Sequence, residues 1–491
     1  MSVHRVIVRM YRQLLGDCFL IRIEDSVANR HILIDCGLLQ GLKDAGDRMR
    51  AVAEDIAAAT GGHLDLLVVT HEHWDHISGF AQARDIFFAK TRLRIDRLWM
   101  AWTENPDDDD ARRLRARFDD RKQALTAVAM AMQARATALM ASDASEADTV
   151  SRLHENLENF VGPVDATPGL GVVPTGRFTG RRILEELKTA AGTVDYLQPG
   201  QVVTTPGDTP LRVAVLGPPR DETLLFKDLP TGGGAHETYL AENFLAASFL
   251  GVDGSADGGA TLATASPFSA RYWSGRSRAE VAAAAAGDPG ADPAWLHDHY
   301  IRDTDDEDRP QAWRRIDDSA GNAAALALKL DSDTNNTSLV LAFELPDKTF
   351  MVFAADAQVG NWLSWHKQDY PFDGRLSAED ILNQTRLYKV GHHGSHNATL
   401  DQKGLAMMTR DDLVAMVSTV EAEAKTQGRP PGWLMPNPRV ADALDKRCQG
   451  RVLRGDLGWT DDPARPQPAL AAALDQENPL YLEYTVFPAA A

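Results

Sequence analysis

Apolar and polar positions along this chain fall into two rhythms. Arg5 to Met10 alternates as a strand does, and Cys18 to Ile23 followed by His31 to Asp35 has the pattern of a hairpin. A helix is expected over Asp44 to Ala59, stopped by Gly61-Gly62. The apolar run Leu64 to Val69 then reads as a buried strand. Gly79 to Phe88 follows as a helix and Arg94 to Ala101 as a strand, so the chain opens as a mixed α/β unit.

The rhythm changes at the acidic run Asp107 to Asp110. Ala111 to Ala141 is rich in Ala, Arg, Leu and Met, and Leu114, Phe118, Leu125, Val128 and Met132 share one stripe, which predicts a long amphipathic helix. That stripe suits ordinary packing or a dimer contact, and the acidic run a solvated helix start rather than a metal site. Thr167 to Gly180 reads as a linker or lid, Arg181 to Ala191 as a short helix, and Gly200 to Thr205 and Leu211 to Leu216 as strands. From Arg220 to Asp333 the composition is loop-like, with glycine clusters at 232–234 and 251–259, an Ala-rich patch at Val281 to Ala286 and an acidic stretch at Asp303 to Asp308. His236, His297 and His299 fall inside it, each read as a surface or structural histidine before a metal ligand. Sheet periodicity then returns: Thr337 to Glu344, Thr349 to Ala354, Leu387 to Val390 and Val414 to Ser418 read as strands, ahead of a helix from Pro438 to Arg447 and a last strand near Val452.

A length of 491 residues allows two to four domains, or one with large insertions. A net charge of −19 disfavours a broad electrostatic grip on nucleic acid, although metal ions in a cleft can neutralise phosphates locally. No apolar run is long enough to span a membrane, and the expectation is a soluble, cytoplasmic protein without a membrane partner. Three scattered cysteines exclude a disulfide framework; Cys18 and Cys36, on strands, are expected to be small buried residues.

The chemistry concentrates in Leu64 to Phe80, where the strand runs straight into His71, His73, Asp75 and His76. Alternation lets His71 and His73 point one way, and the bend that follows turns Asp75 and His76 toward a neighbouring point. Two later strands end on Asp356 and on the turn Gly391-His392-His393-Gly394-Ser395-His396. In α/β sheets functional groups collect at the carboxyl edge of the strands, so the three deliveries can converge. Imidazole with carboxylate suits zinc, manganese or iron, and a metal pair that activates water makes a hydrolase with no side-chain nucleophile. Asp17 and Asp35, each beside a glycine at a strand end, either orient a ligand or cap a turn.

The strings THEHWDH, FAADAQ and KVGHHGSHNAT resemble the metallo-β-lactamase fold. Together with Gly16-Asp17, Ile34-Asp35-Cys36-Gly37, Asn335 to Ser338 and His392 to Ser395, in that order, they are most similar to the branch related to the hydrolase domain of the DNA-uptake protein ComEC. The resemblance implies a four-layer αββα sandwich formed by residues 1–104, 195–219 and 335–491, with a mainly helical insertion at 105–194 and an irregular one at 220–334. It implies two divalent ions, zinc first and manganese as the alternative: His71 and His73 on one, Asp75, His76 and His392 on the other, and Asp356 bridging. His393, Ser395 and His396 would line the substrate side beside the catalytic Asp75. Most two-metal members add a third histidine to the first ion; no motif fixes it here, His154 and His236 are the candidates, and water filling the place is the alternative, as in the ComEC-like branch, which often lacks this ligand.

The leading expectation is therefore a phosphodiesterase or nuclease, with nucleic acid or a nucleotide as substrate. Two others compete: hydrolysis of a thioester or lactone by the same ions, and a low-turnover assembly protein whose insertions bind a protein partner.

Overall fold

The computed structural model describes residues 3–39, 42–122, 179–227, 295, 329–427, 432–475 and 478–487. The chain divides into two compact units, Met1–Asp120 with Glu155–Gly233 and Lys329–Ala491, and Arg121–His154 with Gly234–Leu328. The first holds both large sheets. The expected helix beyond residue 122, most of the 167–180 linker, the glycine, alanine and acidic stretches between 228 and 328, and His154, His236, His297 and His299 lie outside the described residues.

In chain order the sheet strands are β1 (Val3–Tyr11), β2 (Phe19–Asp25), β3 (Asn29–Ile34), β4 (Leu66–Val68), β5 (Arg97–Ala101), β6 (Thr193–Leu197), β7 (Val202–Thr204), β8 (Arg212–Gly217), β9 (Val340–Glu344), β10 (Phe350–Phe353), β11 (Thr385–Lys389), β12 (Val414–Val417), β13 (Val452–Arg454), β14 (Leu474–Asp475) and β15 (Tyr481–Phe487). One sheet runs β14-β15-β1-β2-β3-β4-β5-β6 and the other β13-β12-β11-β10-β9-β8-β7. Each is antiparallel in one part and parallel in the other. The parallel pairs are β3/β4, β4/β5 and β5/β6 in the first sheet, and β10/β11, β11/β12 and β12/β13 in the second.

Period-two alternation divides the side chains between cores. Phe19, Ile21, Leu66 and Val68 of the first sheet pack with Val213, Phe343, Met351 and Phe353 of the second in one apolar cluster. Their neighbours turn the other way: Leu20, Leu33 and Leu67 meet helix Ala45–Ala59 through Met49, Val52 and Ile56, while Phe350 and Val352 meet Trp362, Trp365 and Leu444. Strands covered on both faces carry near-continuous apolar runs, as the wholly buried β12 does. Full burial of each such side chain contributes about 1.5–3 kcal/mol.

Two departures from the sequence reading bear on the site. The helix expected from Gly79 begins at Trp74, so Asp75 and His76 sit in its first turn rather than in a bend. Strands β6 and β15 were not expected. The acidic run begins a helix, since the Asp108 carboxylate accepts the Ala111 N–H at 3.0 Å and holds Arg220 through both oxygens. All three cysteines are buried and free.

Candidate metal centre

Five parallel strands end at one place. β4 gives way to Val69, Thr70 and His71, β3 to Asp35, β10 to Asp356, β11 to the His392-His393 turn and β12 to Ser418. Two glycines let the backbones close around the histidine loop. A Cβ on Gly37 would stand 2.2 Å from the Asp75 carbonyl carbon, and one on Gly16 would stand 2.4 Å from the Gly37 oxygen. The Asp17 N–H donates to the Asp75 carbonyl at 3.0 Å and the Cys36 N–H to that of His76 at 2.8 Å.

The ligand atoms of His71, His73 and Asp356 lie within 4.8 Å of one another, and so do those of Asp75, His76, Asp356 and His393. Asp356 is common to both groups and fully buried. Burial alone would raise its carboxyl, but the charges of His76 and His392 outweigh it and hold it well below the usual carboxylate range. Burial, aided by neighbouring histidines, takes His71 well below its ordinary value; burial also takes His73 down to about 4 against the pull of Asp75 and Asp356. Both imidazoles are therefore neutral at pH 7, the form that ligates a metal.

Asp35 fixes the orientation of His76. Its carboxylate accepts the Thr70 N–H at 2.8 Å and the Thr70 hydroxyl at 2.7 Å, and stands 2.8 Å from His76 Nδ1. That contact leaves His76 Nε2 facing Asp356 Oδ2 at 3.1 Å. His393 repeats the arrangement, with Nδ1 2.8 Å from the Ser418 carbonyl and Nε2 3.0 Å from Asp75 Oδ2. Burial pulls both rings down, yet the surrounding carboxylates prevail and raise His76 well above its ordinary value and His393 above it. His392 and His393 both adopt left-handed backbone, at φ 42° and 53°, which costs of order 1 kcal/mol or more at each non-glycine position. His392 sits outside the four-residue group, its Nε2 3.8 Å from Asp356 Oδ2. Ser395 is buried and bonded to Asn397 at 3.0 Å, and His396 is exposed.

Three contributors were not singled out in the sequence, and a fourth, Ser338, entered only as the end of the Asn335 to Ser338 motif. Lys389, 1% exposed, pairs with Asp17, donates to the Ala355 carbonyl at 3.0 Å and stands 3.8 Å from Asp356. The Ser418 hydroxyl donates to Asp17. The Ser338 hydroxyl accepts the Asp356 N–H at 3.3 Å and lies 3.3 Å from His71 Nδ1. Asp331, in the helical residues 329–335, brings Oδ1 to 3.7 Å from His73 Nε2. Burial, then repulsion by Asp75 and Asp356, pushes its carboxyl up to about 8.

These residues fit divalent cations. His71 Nε2 is buried without a hydrogen-bond partner, and the Asp356 oxygens accept no hydrogen bond although His76 Nε2 stands 3.1 Å from Oδ2, an arrangement that a cation among them would satisfy. A third grouping, Asp17, Asp35 and His76, is satisfied internally through Lys389, Thr70 and Ser418. Loading a metal requires His76 to give up the proton that its raised pKa keeps on the ring at neutral pH, while His71 and His73 have none to give. Zinc uptake at pH 7 is therefore expected to release about one proton or more, with affinity rising as pH rises. Calorimetry in buffers of different protonation enthalpy counts them, and zero release would contradict these protonation states.

No curated protein matches this chain. No helix among the described residues is long and apolar enough to cross a membrane. Residues 11–236, which carry His71, His73, Asp75 and His76, match the model of the Metallo-beta-lactamase superfamily.

Proposed function

We propose that this protein is a metal-dependent hydrolase of phosphodiesters, acting on nucleic acid or a nucleotide, in the ComEC-like branch of the superfamily. The observation that carries the hydrolase is the sharing of Asp356 by two buried His/Asp groups. The phosphodiester assignment is supported by the ordered motifs Gly16-Asp17, Ile34 to Gly37, Asn335 to Ser338 and His392 to Ser395. The four-layer αββα architecture is supported by the apolar cluster shared between the two sheets and the helix-bearing clusters on their other faces. The residues 105–194 and 220–334 are then insertions, available to a protein partner.

Two divalent ions, zinc or manganese, held by these residues would acidify a water and polarise the scissile ester. The chain's own residues set the rest. Asp35 and the Ser418 carbonyl hold His76 and His393 with Nε2 inward, and Asp75 lies on the same side, against His393. His392, 15% exposed, and the exposed His396 would donate hydrogen bonds to a substrate oxygen.

Family resemblance makes His392 the ligand of the second ion, whereas the 3.0 Å approach of His393 to Asp75 favours His393. His393→Ala is therefore expected to lose one of two metal equivalents, and His392→Ala to keep both while losing turnover. Elemental analysis of the two variants decides, and the reverse result would restore His392.

The function is tested by elemental analysis of the purified protein. A screen of bis(p-nitrophenyl) phosphate, single- and double-stranded nucleic acid, cyclic nucleotides and acyl esters follows, with zinc or manganese added. Phosphodiester turnover is expected. Turnover of acyl substrates alone would overturn the substrate assignment, and undiminished biological function in a His71/Asp75 double variant would favour an assembly role.

A further inference from the structure

We infer that Asp331 supplies the third protein donor to the metal held by His71 and His73, in the place that most two-metal members give to a histidine. This rests on the metal reading above and concerns which residues of this chain complete the first site. Asp331 and Asn335 lie four apart in the helical residues 329–335 and so share a face. The Asn335 amide donates to Asp331 Oδ2 at 3.4 Å, and Asp331 Oδ1 faces His73 Nε2 at 3.7 Å. Two donors each ~2.1 Å from one zinc ion stand about 3 to 4 Å apart over the usual range of coordination angles. The observed separation therefore needs no rearrangement for one ion to take both.

Two further observations point the same way. Lys329, on the same helical stretch, places its ammonium on Asp333 at 2.7 Å rather than on Asp331. Among the described residues His73 is the one ion-pair partner Asp331 has. Beside His73, the fully buried Nε2 of His71 has no hydrogen-bond partner. Asp331 Oδ1 thus directly faces one nitrogen of the His71/His73 pair, at a separation one cation can span. Asp331 is 30% exposed at its side chain against 5% for His73, so the donor sits on the solvent side of the pair.

The test is zinc binding alone, by the chelator-stripped full-length protein, read by competition with a chromophoric chelator and independent of any substrate. The parent is expected to take up two equivalents. Asp331→Asn, which keeps the Asn335 contact, is expected to weaken one of them by at least about tenfold and leave the other unchanged. Asp331→Glu, which keeps the charge, is expected to fall between, and the His71→Ala/Asp331→Asn double variant to lose no more at that equivalent than His71→Ala alone. Parent-like affinities in both Asp331 variants would overturn the inference, as would His154→Ala or His236→Ala causing the loss instead. A parent that holds two zinc ions but hydrolyses no phosphodiester sinks the proposed function and leaves this assignment standing. A parent that takes up fewer than two sinks this assignment.

Discussion

Replacing Asp356 with alanine is expected to cut turnover by at least about a thousandfold, and to reduce bound metal, while the protein still unfolds in a single cooperative transition. The carboxylate belongs to both buried groups, so one substitution weakens both at once. Loss of about 4 kcal/mol of transition-state stabilisation, modest for metal-assisted hydrolysis, already corresponds to a thousandfold. The fold is spared because Asp356 follows a strand whose residues are apolar and buried on both faces, and because its oxygens make no hydrogen bond that the strand depends on. Elemental analysis, steady-state rates and a thermal melt on the same preparation check the three parts. Unchanged metal content and rate would show that the cations, if any, are held elsewhere.

Replacing Lys389 with methionine is expected to destabilise the metal-free protein by about 3–5 kcal/mol, the cost of leaving a buried charge without its partner. Lys389 and Asp17 are both almost wholly buried and pair directly. Burial opposes the charge on Lys389, but Asp17 and Asp356 outweigh it and raise its pKa. A raised lysine contributes stability that is complete below the unfolded value and is lost only as pH climbs through the folded one, so the whole effect is present at pH 7. Without Lys389, Asp17 keeps the Ser418 hydroxyl but has lost its counter-charge. The Asp17→Asn/Lys389→Met double variant is expected to recover much of the loss, since neither charge is then stranded. Urea unfolding of the parent, Lys389→Met, Asp17→Asn and the double variant measures the coupling; a Lys389→Met loss below about 1 kcal/mol would mean that water reaches Asp17.

Much of the fold could be read from the chain because burial and periodicity coincide. In β10 and β12 the apolar runs are both the sequence signal and the physical reason for burial on two faces. Strand β15 lies beyond the last strand expected, near Val452, although Leu482, Tyr484 and Val486 turn inward at every second position and so carry the signal. The early helix start at Trp74 had no such signal. Its cap is His73, whose side chain makes no capping bond, and the residues that follow are chosen for what they ligate rather than for helix propensity. At the site, the cluster from His71 to His76 announces itself by local spacing, whereas Lys389 looks like any strand-end lysine until Asp17 meets it across more than 370 positions. Asp331 lies in a stretch without periodicity, and only tertiary packing brings it to His73.

The place of β15 has a consequence for synthesis on the ribosome. β1 is flanked by β2 on one side and β15 on the other, and Arg9 meets Glu483 across 474 positions. While translation proceeds, β1 can pair with β2 within moments, but its other edge stays open until the final strand emerges. Throughout that interval the nascent chain presents unpaired amides and carbonyls to any passing strand. The metal cage matures almost as late, since His393 must emerge before it can meet Asp75. Shielding of that open edge, by a chaperone or by slow emergence at low temperature, is the condition under which this polypeptide should be recovered intact.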